Sequence, residues 1–264
     1  MNLPLRCPIC HQPLTLEAHD AHCTAGHHFD RARQGYFNLV KNYKTTSGDD
    51  AAMVQAREHF LEKGYYRCLV DALHAVLKPL QPEVICDLGC SSGYYTRTVQ
   101  DIFKDTSIIG MDLSKAAIRH GSTADKRIQW LIASIADIPV LDQQADLVLN
   151  LFSPLYIHEI IRILKPSGCC VLVQVGPHHL LQLKELLYPE VYLNPQAAKD
   201  YPGLTTHQQI SVSDMITLAH DDIMPLLAMT PYVHRSKPSA IEALNNHDQL
   251  TTTLEFTLTV LQKN

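Results

Sequence analysis

The sequence predicts an α/β fold, a doubly wound Rossmann-like parallel sheet preceded by a small metal-dependent module. Three observations carry this prediction. Beyond Pro82, short apolar runs alternate with helical periodicity; the first of those runs leads into a loop with glycines at 89 and 93; and the first 44 residues are rich in Cys and His but poor in apolar period. Alternation of strand and helix signals is the pattern of a parallel sheet, whereas a segment too small to fold on its own core needs another staple.

In chain order, the module comes first. Cys7-Pro8-Ile9-Cys10 followed by Cys23 and His27 is a CxxC pair with a Cys/His second half, the donor set of a structural Cys3His zinc site. Four protein ligands leave no open position for a reactive water. His11, His22 and His28 compete for the fourth place, His28 most seriously. The polar run 45–50 then reads as a linker and helix start, with Asp49 or Asp50 able to cap the next helix. Apolar residues from Met53 to Leu77 recur at helical spacing and Gly64 divides them into two helices. The predicted strands are 84–88, 107–112, 128–133, 145–152 and 169–175, the last two almost continuously apolar as buried parallel strands are. Helices are expected at 94–103, 114–124 and 156–164, then near 180–187 and 213–227, with a final strand pair at 206–212 and 250–261. The domains are thus 1–44, the zinc module, and 45–264, the catalytic domain, whose residues 45–82 form a helical lead-in and 83–264 the sheet.

The formal charge of −5 argues against a protein that coats nucleic acid with its whole surface. Charge is nevertheless uneven, and Arg31, Arg33, Lys41 and Lys44 lie close together in sequence. No stretch is long and apolar enough to span a bilayer and no secretory leader is visible, so a cytoplasmic protein without membrane contact is expected. Cys68, Cys86, Cys90, Cys169 and Cys170 lie in apolar segments and read as reduced, mostly buried thiols.

Ligands of an open parallel sheet bind at the carboxyl ends of its strands. The first such turn is Asp87-Leu88-Gly89-Cys90-Ser91-Ser92-Gly93, and Asp112 ends the next strand, where a carboxylate can accept from ribose hydroxyls. Dinucleotide sites want G-x-G-x-x-G. This loop is G-x-x-x-G with an acid ahead of it, which suits a sulfonium better than a pyrophosphate, so S-adenosylmethionine is the expected cofactor and the sheet that of a class I methyltransferase. The third strand ends in Ser134 and an acidic turn through Asp137, placed for adenine. The fourth ends Asn150-Leu151-Phe152-Ser153-Pro154, the side facing the methyl acceptor.

With these residues assembled, the chain resembles the RlmA family of bacterial 23S ribosomal RNA guanine-N1 methyltransferases over nearly its whole length. The likeness rests on Cys7-Pro8-Ile9-Cys10, the Cys23 and His27 pair with Phe29-Asp30, Gly35-Tyr36-Phe37-Asn38, Met53-Val54-Gln55-Ala56-Arg57 and Asp87-Leu88-Gly89-Cys90. It continues through Gly93-Tyr94-Tyr95-Thr96, Leu164-Lys165-Pro166, Gly176-Pro177 and Met229-Thr230-Pro231-Tyr232. The resemblance implies zinc on Cys7, Cys10, Cys23 and His27. It also implies cofactor contacts from Tyr66, Ser91, Ser92, Asp112 and His179, a hairpin of 23S ribosomal RNA as partner, and a homodimer. Ser91 departs from the family, which has glycine there, and serine fits only if the local φ is negative or the strain is tolerable.

No side chain stands out as a base for the guanine N1 proton; Glu159, His158 and Asp137 are candidates, as is a main-chain carbonyl near Ser153-Pro154. The target N1 lies on the Watson–Crick edge, so the base must be extruded, with Phe152 or Tyr66 to stack on it. Two rivals remain. A small-molecule methyltransferase of the ubiquinone or sterol type would have a similar catalytic domain but no use for the zinc module, and a non-catalytic zinc-bearing RNA-binding protein finds its support in Ser91.

Overall fold

A computed structural model describes residues 3–41, 49–198 and 200–264; Lys44 and the linker 45–48 lie outside the described residues. The module begins with a three-stranded antiparallel sheet of β1 (Thr15–Leu16), β2 (Asp20–His22) and β3 (His28–Asp30), and ends in β4 (Phe37–Asn38). Two helices come next, α1 (Ala51–Glu62) and α2 (Arg67–Leu77), separated at Gly64, whose φ of 80° is of the kind glycine tolerates. Asp50 is the N-cap, its carboxylate accepting from the Met53 N–H at 2.9 Å.

The catalytic sheet takes β5 (Val84–Leu88), α3 (Tyr94–Ile102), β6 (Ser107–Asp112), α4 (Lys115–Ala124) and β7 (Gln129–Ile132) to one side. β8 (Ala145–Leu151), α5 (Ile157–Ile163) and β9 (Leu164–Val175) run to the other. Next come α6 (Leu181–Leu187), β10 (Leu204–Ala219), α7 (His220–Ala228), a 3-10 turn at Pro231–His234, α8 (Pro238–Leu244) and β11 (Gln249–Lys263). The eight strands are ordered β10-β11-β9-β8-β5-β6-β7-β4. Because β5 pairs in parallel with both β6 and β8, the winding reverses beside its carboxyl end, and that is where a parallel sheet opens a crevice.

Alternate residues supply two cores. From β8, Leu147, Leu149 and Leu151 pack with α2 and α3, while Ala145 and Val148 join Ile160 and Ile163 of α5 on the opposite face. The second core runs without a break into the module through Leu5, Cys7, Ala21 and the fully buried Phe37. The module is therefore attached by more than its metal. Its β4 adds the outermost parallel strand beside β7, Leu5 bridges Val140, and the Arg6 side chain bonds Asp137 at 2.6 Å and the Ile138 carbonyl at 3.0 Å.

One predicted element is corrected. Residues 213–219, expected to be helical, extend β10, and the helix starts only at His220. The cause is pairing. β10 lies antiparallel to β11 from Leu204↔Lys263 to Ala219↔Gln249, and its buried residues here, Ile216 and Leu218, have the period of a strand. Tertiary context thus overrides a short, ambiguous periodicity. Among the described residues no helix is long and apolar enough to cross a membrane.

Candidate functional site

The turn between β5 and α3 is shaped by contacts that forbid a side chain. Gly89 has φ +75° and a Cβ there would lie 2.5 Å from Ser153 Cβ; Gly93 has φ +82° and its Cβ would strike the Trp130 ring at 2.1 Å. The first clash is informative, since it means that the cofactor loop and the end of β8 touch. Ser153 Oγ also donates to the Leu88 carbonyl at 2.7 Å. The predicted cofactor and acceptor sides are therefore brought together.

Ser91 takes φ +49°, a left-handed conformation that costs a non-glycine residue about 1–2 kcal/mol. It is held there from two directions. Its N–H donates to Asp112 Oδ2 at 2.9 Å, and its hydroxyl accepts from Arg57 Nη1 at 2.5 Å and donates to Asp49 Oδ2 at 3.4 Å. Arg57 is also ion-paired with Asp49. Asp112 further accepts from the Ser114 N–H at 2.7 Å, so two of its roughly four lone-pair positions stay available for ribose hydroxyls. Burial holds its carboxyl above the usual range.

Asp87 is buried and accepts from Thr96 Oγ1 at 2.6 Å. Burial pushes its pKa up to about 7; the Thr96 bond opposes this and the nearby Asp112 carboxylate adds to it. A cation entering the crevice would favour the ionised form. Ser92 is buried with its hydroxyl on Glu58, whose other oxygen accepts from Arg97 at 2.7 Å. Through Arg57 and Glu58, then, α1 is bolted to the cofactor loop.

Tyr66 and His179 come together against β11. The Glu255 backbone N–H donates to His179 Nδ1 at 3.2 Å, which assigns the ring proton to Nε2, 3.3 Å from the Tyr66 oxygen. That proton is donated to Tyr66, leaving the phenolic O–H free to donate to a ligand. Burial drives His179 down to about 3, a neutral ring at physiological pH. Tyr66 packs edge-on against Phe256 at 5.1 Å, Phe256 lies 5.8 Å from Phe152, and Phe152 6.4 Å from Tyr95. The Tyr95 hydroxyl is buried without a protein partner. Together with the spare capacity of Asp112, these groups fit a nucleoside sulfonium.

Phe152 comes directly after β8 in the left-handed region, at φ +60°, with 44% of its surface exposed. A bulky residue so placed is strained; part of its ring packs on Phe256 and Tyr95 while the rest faces solvent. Asn150 is fully buried; its Nδ2 donates to the Pro154 carbonyl at 3.2 Å and its Oδ1 has no protein partner. Ser134 accepts from the Ala136 N–H at 3.2 Å and so shapes the turn after β7. Of the candidate bases, Asp137 is committed to Arg6 and to Lys41 at 3.1 Å, and Glu159 to Arg162 and the Ile138 N–H at 2.7 Å. Burial raises both carboxyls, but these cations and donors outweigh it and hold them below their ordinary values. His158 is exposed on α5. Sequence reasoning missed the parts of Asp49, Arg57 and Glu58, although Arg57 closes the Met53-to-Arg57 segment that carries the family likeness.

In the module, Cys7, Cys10, Cys23 and His27 place their ligand atoms within 4.8 Å of one another. Cys10 Sγ stands 3.5 Å from Cys23 Sγ, and His27 Nδ1 3.5 Å from Cys7 Sγ and 3.3 Å from Cys23 Sγ. A tetrahedral site with Zn–S of about 2.3 Å asks for ligand separations of roughly 3.5 Å. Burial opposes ionisation of Cys23, yet hydrogen bonds from His27, Cys10 and the Ala25 backbone pull its thiol down to about 6, toward the thiolate a metal requires. His28 is excluded from this set, since its Nδ1 lies 3.2 Å from Asp20. Of the basic stretch, Arg31 is tied to Gly35, Glu17 and Gln129 and stacks on Phe37, while Arg33 and Lys41 are exposed.

Two family models match, "RlmA, N-terminal", a zinc ribbon, over residues 5–44 and "Methyltransferase domain" over 85–168. The 23S rRNA (guanine(748)-N(1))-methyltransferase of Streptomyces fradiae is 30% identical over 90% of this chain and 88% of its own length. YxjB of Bacillus subtilis, provisionally named as a 23S rRNA (guanine-N(1)-)-methyltransferase, is 29% identical over 98% of this chain and 96% of its own. Among solved structures, a chain from the complex of the Haloferax volcanii Trm112 methyltransferase activator with a methyltransferase superposes with TM-score 0.51 at 21% identity, covering 82% of this chain and 99% of that one. This last likeness speaks to fold alone. S-adenosylmethionine is the cofactor of the catalytic domain, and the Cys3His set fits structural zinc. The chain belongs to the 23S rRNA (guanine-N1)-methyltransferase family, with the RlmA zinc ribbon at its head.

Proposed function

We propose that the protein methylates N1 of a guanine in a hairpin of 23S ribosomal RNA. The observation that carries this reading is the joining of a Cys3His ribbon to a cofactor loop whose Gly89 abuts Ser153 at the end of β8. A metabolite methyltransferase would have no use for the ribbon.

When bound, S-adenosylmethionine supplies an electrophilic methyl group. Asp112 and Ser91 would hold its ribose side, the Tyr66 hydroxyl would be available to donate to it, and the Asp87 carboxylate would favour its positive charge. Methyl transfer is an in-line displacement, so positioning and exclusion of water supply most of the catalysis. The extruded guanine stacks on the exposed part of the Phe152 ring, and main-chain carbonyl oxygen around Ser153-Pro154 accepts from N1–H and guides the proton to water. With Asp137 and Glu159 held in ion pairs, no carboxylate is needed as the base. Arg33 and Lys41 of the module meet hairpin phosphates, which fix register without reading bases. The protein works in the cytoplasm, where its substrate is, as a homodimer that light scattering would register as twice the chain mass.

Reverse transcription across large-subunit rRNA tests the substrate. A methyl on N1 blocks pairing, so a stop at one hairpin guanine present in wild-type cells should vanish on deletion of the gene and return on complementation. An unchanged stop pattern would contradict the assignment.

A further inference from the structure

Two histidines that compete in sequence for the structural zinc, His22 and His28, are left over by the Cys3His set. They are not scattered. In the β2–β3 pair, His22 lies directly opposite His28 and Asp20 precedes His22 by two residues on the same strand. Ala21 between them is buried, so Asp20 and His22 share the outward face of the pleat. Their ligand atoms converge within 4.8 Å. A single oxygen, Asp20 Oδ2, stands 3.2 Å from His28 Nδ1 and 3.6 Å from His22 Nδ1, and the two imidazoles stack at 5.4 Å.

We propose that Asp20, His22 and His28 form a second metal site on the outer face of the ribbon, one that takes an exchangeable divalent transition ion. The separations are those of ligands about 2.0–2.2 Å from a common ion. Two imidazoles and one carboxylate select ions of the Zn²⁺, Co²⁺ and Ni²⁺ class over Mg²⁺ or Ca²⁺, which take oxygen ligands. Three protein ligands leave room for water, and side-chain exposures of 31% for Asp20, 37% for His22 and 62% for His28 let the ion exchange with solvent. The site is thus chemically distinct from the buried thiolate centre, although Cys23 is the next residue after His22 in the chain.

The test uses the full chain already holding one zinc per molecule, with Co²⁺ as the probe. Equilibrium dialysis should show one Co²⁺ taken up per chain, with weak visible bands and without the intense sulfur-to-metal charge transfer that thiolate coordination produces. His28→Ala and, separately, Asp20→Asn should each abolish that uptake while retaining the original zinc, whose retention shows that the ribbon is folded. No Co²⁺ uptake by the wild-type protein would overturn the proposal, and so would uptake that survives in both variants. A thiolate charge-transfer band would also overturn it, because the probe would then be in the Cys3His site.

Discussion

At residue 91 a serine occupies backbone that glycine adopts freely, and two opposing effects decide the consequence. The left-handed φ costs about 1–2 kcal/mol, while the hydroxyl gains bonds to Arg57 and Asp49, each hydrogen bond worth about 1 kcal/mol net. Near cancellation results. Ser91→Gly should unfold in urea within about 1 kcal/mol of wild type, whereas Ser91→Ala, which keeps the strain and loses the bonds, should be less stable than Ser91→Gly by about 1–2 kcal/mol. Equal stability of the two variants would show that φ at 91 relaxes. Asp87 titrates instead of straining. Its folded pKa of about 7 is raised from 3.8, so its contribution to stability is fully present below about 4 and is lost as pH rises toward 7. Without cofactor, Asp87→Asn should therefore gain on wild type between pH 5 and pH 8 in urea unfolding. At pH 8 it should also bind the cationic cofactor about tenfold more weakly, or about 1.4 kcal/mol; a pH-independent stability difference would mean that Asp87 stays ionised. The turn glycines at 89 and 93 were legible because close backbone approach needs that residue type at particular chain positions, whereas the acids at 87 and 112 read from the same pattern are proposed cofactor contacts. The positive φ of Ser91 was not legible, since the Arg57 and Asp49 side chains that hold it belong to a distant part of the chain.

Among elements, α1 has the role that sequence reading least foresaw. Periodicity finds the helix, and its cap at Asp50 was among two expected, but period cannot reveal that Glu58 faces inward to charged partners. Only 4% exposed, Glu58 ties α1 to Ser92 and Arg97. Breaking a buried pair by removing one partner costs about 3–5 kcal/mol because the other charge is stranded. Glu58→Ala should lose about 3 kcal/mol in urea unfolding and weaken cofactor binding, while Glu62→Ala on the exposed face of the same helix should change neither. Unaltered binding by Glu58→Ala would separate α1 from the cofactor loop. The central strands were legible for the opposite reason, since continuous apolar runs between turn residues have few other uses. Residues 213–219 read as helix because their strand period is supported by pairing with β11, about thirty to forty residues further on.

Over the whole molecule, the module and the catalytic sheet share one core and one edge strand, so the metal and the fold are coupled. Cys23→Ala should release zinc and, with β4 still paired to β7, lower RNA methylation more than cofactor affinity. Equal loss of both, read by calorimetry and methyl incorporation on the same preparation, would mean that the ribbon supports the entire sheet. Four ligands in a small polar segment announce a metal site in sequence, but the seam of Arg6, Asp137 and Glu159 joins residues more than a hundred positions apart. It also explains why two carboxylates that read as candidate bases are structural. The most direct measurement of the central claim is to incubate the purified protein with methyl-labelled cofactor and 23S rRNA from cells lacking this gene, digest the RNA, and identify the labelled nucleoside. The predicted product is 1-methylguanosine, from a single hairpin guanine. Label on another atom or base, or none in RNA from a protein that binds the cofactor, would contradict it.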